Sequence, residues 1–160
     1  MTKADRPMVD QHLIEYNEAE RADYLAVVAS MAGVDGSVSS EEILAMQQLC
    51  RAFVLGPEAR GRVMAATTAG VEDLDTTLER LGTTNLRHAL VLDLCMMSWR
   101  DGQLLEPEEA EIRRMAEKLG VSSRQVAILT HFASSLRQGA DLEQSLTLLE
   151  SSGVPRSALA

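Results

Sequence analysis

Residues 31–50 read MAGVDGSVSSEEILAMQQLC, and residues 97–120 read MSWRDGQLLEPEEAEIRRMAEKLG. Slid by 66 residues, the first stretch falls on the second: Met31 on Met97, Asp35 on Asp101, Gly36 on Gly102, Val38 on Leu104, Glu42 on Glu108, Met46 on Ile112 and Leu49 on Met115. Upstream, Leu25 meets Val91 and Val28 meets Leu94, and at the far end Phe53 meets Leu119. Two amphipathic helices match in part through their common period alone. The Asp-Gly pair, the apolar residue two positions later and the glutamate seven after the aspartate exceed that baseline. They imply two copies of helix, Asp-Gly turn, helix.

Working outward, apolar residues recur every three and four positions, as at Ile43, Met46, Leu49, Cys50 and Phe53, then Ile112, Met115, Ala116 and Leu119. No stretch alternates like a strand. The periodicity predicts helices near 10–33, 39–55, 57–68, 71–81, 84–100, 107–119, 122–137 and 141–151, the first of them open to a break before Glu18. Gly56-Pro57 reads as a C′ glycine before an N1 proline, and Gly120 with Ser122 and Gln125 as a helix stop followed by a capping box. The expected fold is all-α: a single compact domain over 1–160, of seven to eight helices in two pseudo-symmetric halves. The repeat cores are 25–55 and 91–121, and 153–160 is expected to be a flexible tail.

Composition sets limits on function. The 160 residues include 46% apolar but only 3% aromatic residues, so aliphatics and eight methionines must fill the core. With 24 acidic against 15 basic residues the formal charge is −9, which repels phosphate backbones and argues against nucleic acid as a partner. The first residues carry no apolar signal core. The longest apolar run, 89–97, is broken by Asp93 and too short to span a bilayer, so a soluble cytoplasmic protein is expected. Cys50 and Cys95 sit among apolar neighbours outside any C-x-x-C pattern and read as buried, inert thiols. His12, His88 and His131 lie on separate helices without ligand spacing, no glycine-rich loop follows a strand, and no nucleophile elbow is present. A non-enzymatic role follows.

The Asp-Gly turns resemble half of a calcium loop. An EF-hand takes oxygen ligands at positions 1, 3, 5, 7, 9 and 12 with glycine at 6. With Gly36 at position 6, Asp35, Ser39 and Glu42 occupy 5, 9 and 12, but Met31 and Gly33 stand at 1 and 3; the second copy puts Met97 and Trp99 there. Neither turn is a working EF-hand alone. Capping explains many of the same letters, since Ser39 with Glu42 forms a capping box and acidic residues suit a helix's first turn. An aspartate at a helix C-terminus is disfavoured by the dipole and calls for compensation, whether by Arg100 in the second copy, by a backbone amide or by a cation.

The segments MAGVDGSVSSEE and MMSWRDGQLLEPEEAEIRRMAEKLGVS resemble the two signature segments of the TerB-like family of tellurite-resistance and stress-response proteins, over residues 20–135. The resemblance implies an all-α domain of two helical halves with a non-enzymatic role. Acidic residues after its helix turns would chelate metal, here Asp35 and Glu42 in one copy and Asp101 and Glu108 in the other. Oxygen ligands favour calcium or magnesium over zinc. Implied partners are other proteins of a stress-response assembly, membrane-associated in some members, with a homodimer as an alternative. The second class of function left open is a metal-free interaction adaptor using a groove between the halves. Trp99-Arg100 departs from the small residues usual before the Asp-Gly.

Asp93 lies in ALVLDLCMMSW, a helix apolar nearly all round, and must find a partner, an arginine or another hydrogen-bond donor, or contribute to a site between the halves. The methionines read as core filler rather than an exposed adaptable patch. If these faces are assigned correctly, Leu49→Ala or Leu94→Ala lowers the unfolding free energy by about 2–5 kcal/mol in urea denaturation, and Glu72→Ala by under about 0.5 kcal/mol.

Overall fold

A computed structural model describes residues 15–33, 38–100, 103–104, 106–151 and 153–154. Its described helices are α1 (Glu18–Ser30), α2 (Ser40–Ala52), α3 (Pro57–Ala69), α4 (Leu74–Gly82), α5 (Leu86–Ser98), α6 (Glu106–Leu119), α7 (Ser123–Arg137) and α8 (Leu142–Ser151). The fold is all-α, as expected, with α1 beginning at Glu18. Asn17 caps it by accepting from the Glu20 amide at 2.8 Å. One feature departs from the helical expectation: α5 stops at Ser98, and β1 (Trp99–Arg100) pairs antiparallel with β2 (Gln103–Leu104) around the second Asp-Gly. A two-residue-per-strand ribbon carries no sequence alternation by which to detect it.

The helix bounds repeat at the spacing seen in the sequence. Sixty-six residues after α2 starts at Ser40 comes Glu106, where α6 starts; 66 after Pro57 of α3 comes Ser123, where α7 starts. In the first half α1 packs against α2 and α3, and in the second α5 packs against α6 and α7. The halves meet where α1 touches α5, and α4 lies against α1, α5 and α6. Helices α1 and α5 are the centre: Ala22 to Ala29 of α1 and His88 to Met96 of α5 are buried without interruption. A helix buried all round is what an apolar stretch without a polar face requires. Leu49, Leu94 and Met115 lie in the one continuous core, and Glu72 is exposed.

Burial on all sides obliges the polar residues of the central helices to find partners inside. Asp93 receives a hydrogen bond from the Tyr24 hydroxyl, α5 to α1, a hydrogen-bond donor of the kind its burial required. Burial and the adjacent Asp93 carboxylate push the Tyr24 phenol well above its usual range. Asp23, one residue earlier, pairs with Arg62 of α3 at 2.5 Å and Arg80 of α4 at 3.2 Å, and both guanidiniums also reach Thr77. Arginines also satisfy helix ends: Arg21 donates to the Phe53 carbonyl at 2.9 Å, and Arg137 to that of Met96 at 2.5 Å.

The ends of α2 and α6 repay comparison. After α6, Gly120 takes φ 77°, with Val121 N–H reaching Ala116 C=O at 2.9 Å and Gly120 N–H reaching Glu117 C=O at 3.2 Å. That is a Schellman closure around a left-handed glycine. After α2 the same pair of bonds runs from Leu55 to Cys50 at 3.0 Å and from Val54 to Arg51 at 3.1 Å, so the left-handed residue is Val54, φ 55°. Val54 stands 66 residues before Gly120. Gly56, expected as the C′ residue, is instead the N-cap of α3 with extended backbone (φ −69°, ψ 172°), because the Schellman bonds close two residues earlier.

Cys50 and Cys95 are free and buried. Burial raises both thiols, Cys95 to about 11 despite Thr130 Oγ1 at 3.6 Å, which disfavours the thiolate a nucleophile needs.

Two outcomes follow. A β-branched residue in the left-handed region is strained, and Val54 is 67% exposed with little packing to lose. Val54→Gly therefore raises the unfolding free energy by about 0.5–1 kcal/mol, the relief exceeding the added chain entropy, whereas Gly120→Val lowers it by about 1–2 kcal/mol, both read by urea denaturation. The folded state holds the Cys95 proton more tightly than the unfolded chain, so from the ordinary thiol range near pH 9 upward the unfolded chain sheds protons that the native state keeps. Stability present below pH 9 is lost as pH rises to about 11, on the order of 2–3 kcal/mol from Cys95, and Cys95→Ala shows a shallower decline across that window than wild type.

Candidate functional site

Described residues that flank the two repeated turns line one cavity. After α1 the chain makes a 3-10 turn, Met31–Gly33, pressed against α3: a Cβ on Gly33 would stand 3.1 Å from the Thr67 carbonyl oxygen, so glycine permits the approach. Ser39 then caps α2. Its Oγ accepts from the Glu42 amide at 3.1 Å and its own amide donates to Glu42 Oε1 at 3.2 Å, the capping box read from the sequence. In the second half, Glu108 lies in the first turn of α6, where the helix dipole favours a carboxylate, and its residue is 2% exposed.

Glu42 and Glu108 line one cavity of about 440 Å³ between the halves, together with Met31, Met46, Met97 and Ser98. Two of those pairs, Met31 with Met97 and Glu42 with Glu108, are equivalents at the 66-residue offset. Ser98 is the polar departure, standing where the first half has Ala32. Its hydroxyl is buried without a hydrogen-bond partner among the described residues. Of the four acidic residues singled out in the sequence, Glu42 and Glu108 come together here; Asp35 and Asp101, with their glycines, lie outside the described residues.

The cavity supplies oxygen donors in kind, the carboxylates of Glu42 and Glu108 with the hydroxyls of Ser39 and Ser98, which suits a hard cation and not zinc. In number they fall short of the six to eight oxygens that calcium takes. Among the described residues no group of three or more His, Cys, Asp or Glu is placed to hold a metal, so a complete shell needs Asp35, Asp101 or water.

Met31 and Met97, at the positions where an EF-hand would carry its first ligand, are cavity walls; Met46 is a core residue that also lines the cavity. Ser98 went unnoticed, and the available signal was a lone hydroxyl at the end of an otherwise apolar helix. Asp93 is occupied by Tyr24 rather than lining this cavity. His88 is buried in α5, where burial and the neighbouring Arg87 lower its basicity, and His131 is exposed on α7; His12 lies outside the described residues.

Two other concavities carry less chemistry. The cleft of about 1250 Å³ between α6 and α7 has its arginines engaged, Arg113 with Glu109 at 2.6 Å and Arg114 with Glu111 at 2.7 Å and Asp75 at 3.3 Å. A shallower groove of about 350 Å³ between α7 and α8 is walled by Ile128, Phe132 and Leu148. Among the described residues no helix is long and apolar enough to cross a membrane.

Compared with known proteins, the chain matches no curated protein and no solved structure. A family model does match: that described as Tellurite resistance protein TerB, over residues 21–131, a span that takes in both Asp-Gly turns and helices α2 to α6 whole. With more than half of its length matched, and with the all-α architecture in agreement, the chain belongs to the TerB family of tellurite resistance proteins.

Proposed function

We propose that this is a non-enzymatic stress-response domain of the tellurite-resistance type that binds a divalent cation weakly at its acidic turns. The observation that carries the reading is the meeting of Glu42 and Glu108, each seven residues after the aspartate of an Asp-Gly pair, at one cavity between the halves. Asp35 and Asp101 would complete the donor set. Oxygen donors select calcium or magnesium over zinc. The part played by the chain's own residues is to hold the two carboxylates at helix N-termini, where the backbone amides and the helix dipole favour negative charge. The buried, raised thiol of Cys95 and the separate histidines favour a binding role over a catalytic one.

A second reading, a metal-free adaptor, is favoured by one observation: the cavity is walled by methionines and opens beside Leu44, an exposed leucine on α2. Its partners would be proteins of a stress-response assembly, and the charge of −9 disfavours nucleic acid. A cytoplasmic location fits this role.

A melting series with calcium or magnesium separates the readings. With a shallow site the dissociation constant lies at or above the order of 10⁻⁴ M, and at a hundredfold excess over it the cation adds about 2.7 kcal/mol. The expected result is a cation-dependent rise in wild type that disappears in Asp35→Asn, Glu42→Gln and Glu108→Gln. No rise in wild type, or a rise the variants keep, makes these residues caps and leaves the adaptor reading.

A further inference from the structure

The geometry points to an alkylammonium group as the ligand of the cavity between the halves, carried on a free amine or at the end of a lysine side chain. The inference rests on the reading that this cavity is the functional site, and it assigns to Glu42 and Glu108 an ammonium where that reading puts a divalent cation.

Size comes first. A water takes a share of about 30 Å³, so a cation with a few waters fills a small part of a cavity of about 440 Å³, which falls instead in the range of about 300–1,000 Å³ usual for organic ligands. The walls agree with size. Met31, Met46 and Met97 surround the space with flexible, polarisable thioethers that close well on an alkyl chain and give a hard cation nothing to coordinate.

The polar groups define the head of the ligand. Glu42 and Glu108 bring two carboxylates from opposite halves to one space, and such an arrangement favours a positive charge. Ser98 adds an independent requirement. A serine late in a helix usually turns its hydroxyl to the carbonyl one turn back. The Ser98 hydroxyl, on a residue 3% exposed, instead has no hydrogen-bond partner among the described residues while lining the cavity, and a buried polar group left so is costly. An ammonium carries three N–H donors and no acceptor, matching a hydroxyl oxygen and two carboxylates. The apolar stem would lie along the methionines, as lysine stems commonly lie on apolar surface.

Calorimetry and thermal melting of the full chain test this with pentylamine, with 1-pentanol as the uncharged equivalent, with calcium, and with a blocked Gly-Lys-Gly tripeptide beside its norleucine counterpart. Pentylammonium is expected to raise the melting temperature and pentanol to leave it unchanged. Ser98→Ala should weaken the amine about tenfold while the ligand-free melting temperature stays level or rises, since a buried hydroxyl without a partner has been removed. Glu108→Gln should weaken it comparably. Binding of the lysine tripeptide and not the norleucine one assigns the ammonium to a side chain, and binding of pentylamine alone assigns it to a free amine; either supports the inference. Equal binding of pentanol, no response to either ammonium probe, or unchanged affinity in Ser98→Ala overturns it. A calcium response without an ammonium response ends this inference and leaves the cation reading standing, and the reverse result does the opposite.

Discussion

The hydrogen bond from Tyr24 to Asp93 joins the two helices on which everything else is laid. Each of those helices is buried over most of its length, so neither can exist in water with its apolar surface uncovered, and each helps to cover the other. A carboxylate at the contact makes that mutual cover specific. An aspartate buried among leucines is costly unless a donor meets it, and the tyrosine that does so lies 69 residues away, on the other half. Sliding or rotating α5 against α1 would strand the charge.

Asp23, next to Tyr24, extends the same constraint outward. Its two arginines come from α3 and α4, so Asp23 ties α1 to those two helices while the adjacent tyrosine ties it to α5. With α1 and α5 held in this way, Met31 just beyond the end of one and Met97 and Ser98 at the end of the other come to line a common cavity. The cavity lined by Glu42 and Glu108 is thus a product of the central contact, while helix α4 packs against both central helices and α6.

Much of the fold was legible because it rests on local signals. The 3.6-residue period marked all eight described helices, and the capping boxes at Ser39 and Ser122 and the stop at Gly120 stand where side-chain chemistry predicts them. The end of α2 was not legible, because Val54 occupies a conformation that its side chain disfavours and the nearby glycine drew the reading to itself. Long-range partners were equally hidden. Nothing in the spacing of Asp23, Arg62 and Arg80, or of Tyr24 and Asp93, tells which charge meets which donor across the core. At the site, the 66-residue repeat marked Glu42 and Glu108 as equivalents, since duplication leaves a trace in sequence. Ser98 left none, for an unsatisfied hydroxyl is a property of surroundings and not of spacing.

Burial of α1 and α5 against each other also governs how the protein opens. From Ala22 to Ala29 and from His88 to Met96 neither helix has a solvent face, and the two touch across the halves, so the amide protons of these stretches have no local route to exchange and must wait for the whole molecule to unfold. The halves, although repeated, then behave as one cooperative unit rather than two stacked repeats. Slow exchange in α1 and α5 reports the global free energy, and anything held in the cavity that both halves line slows it in both by the same factor, including at amides far from the point of contact.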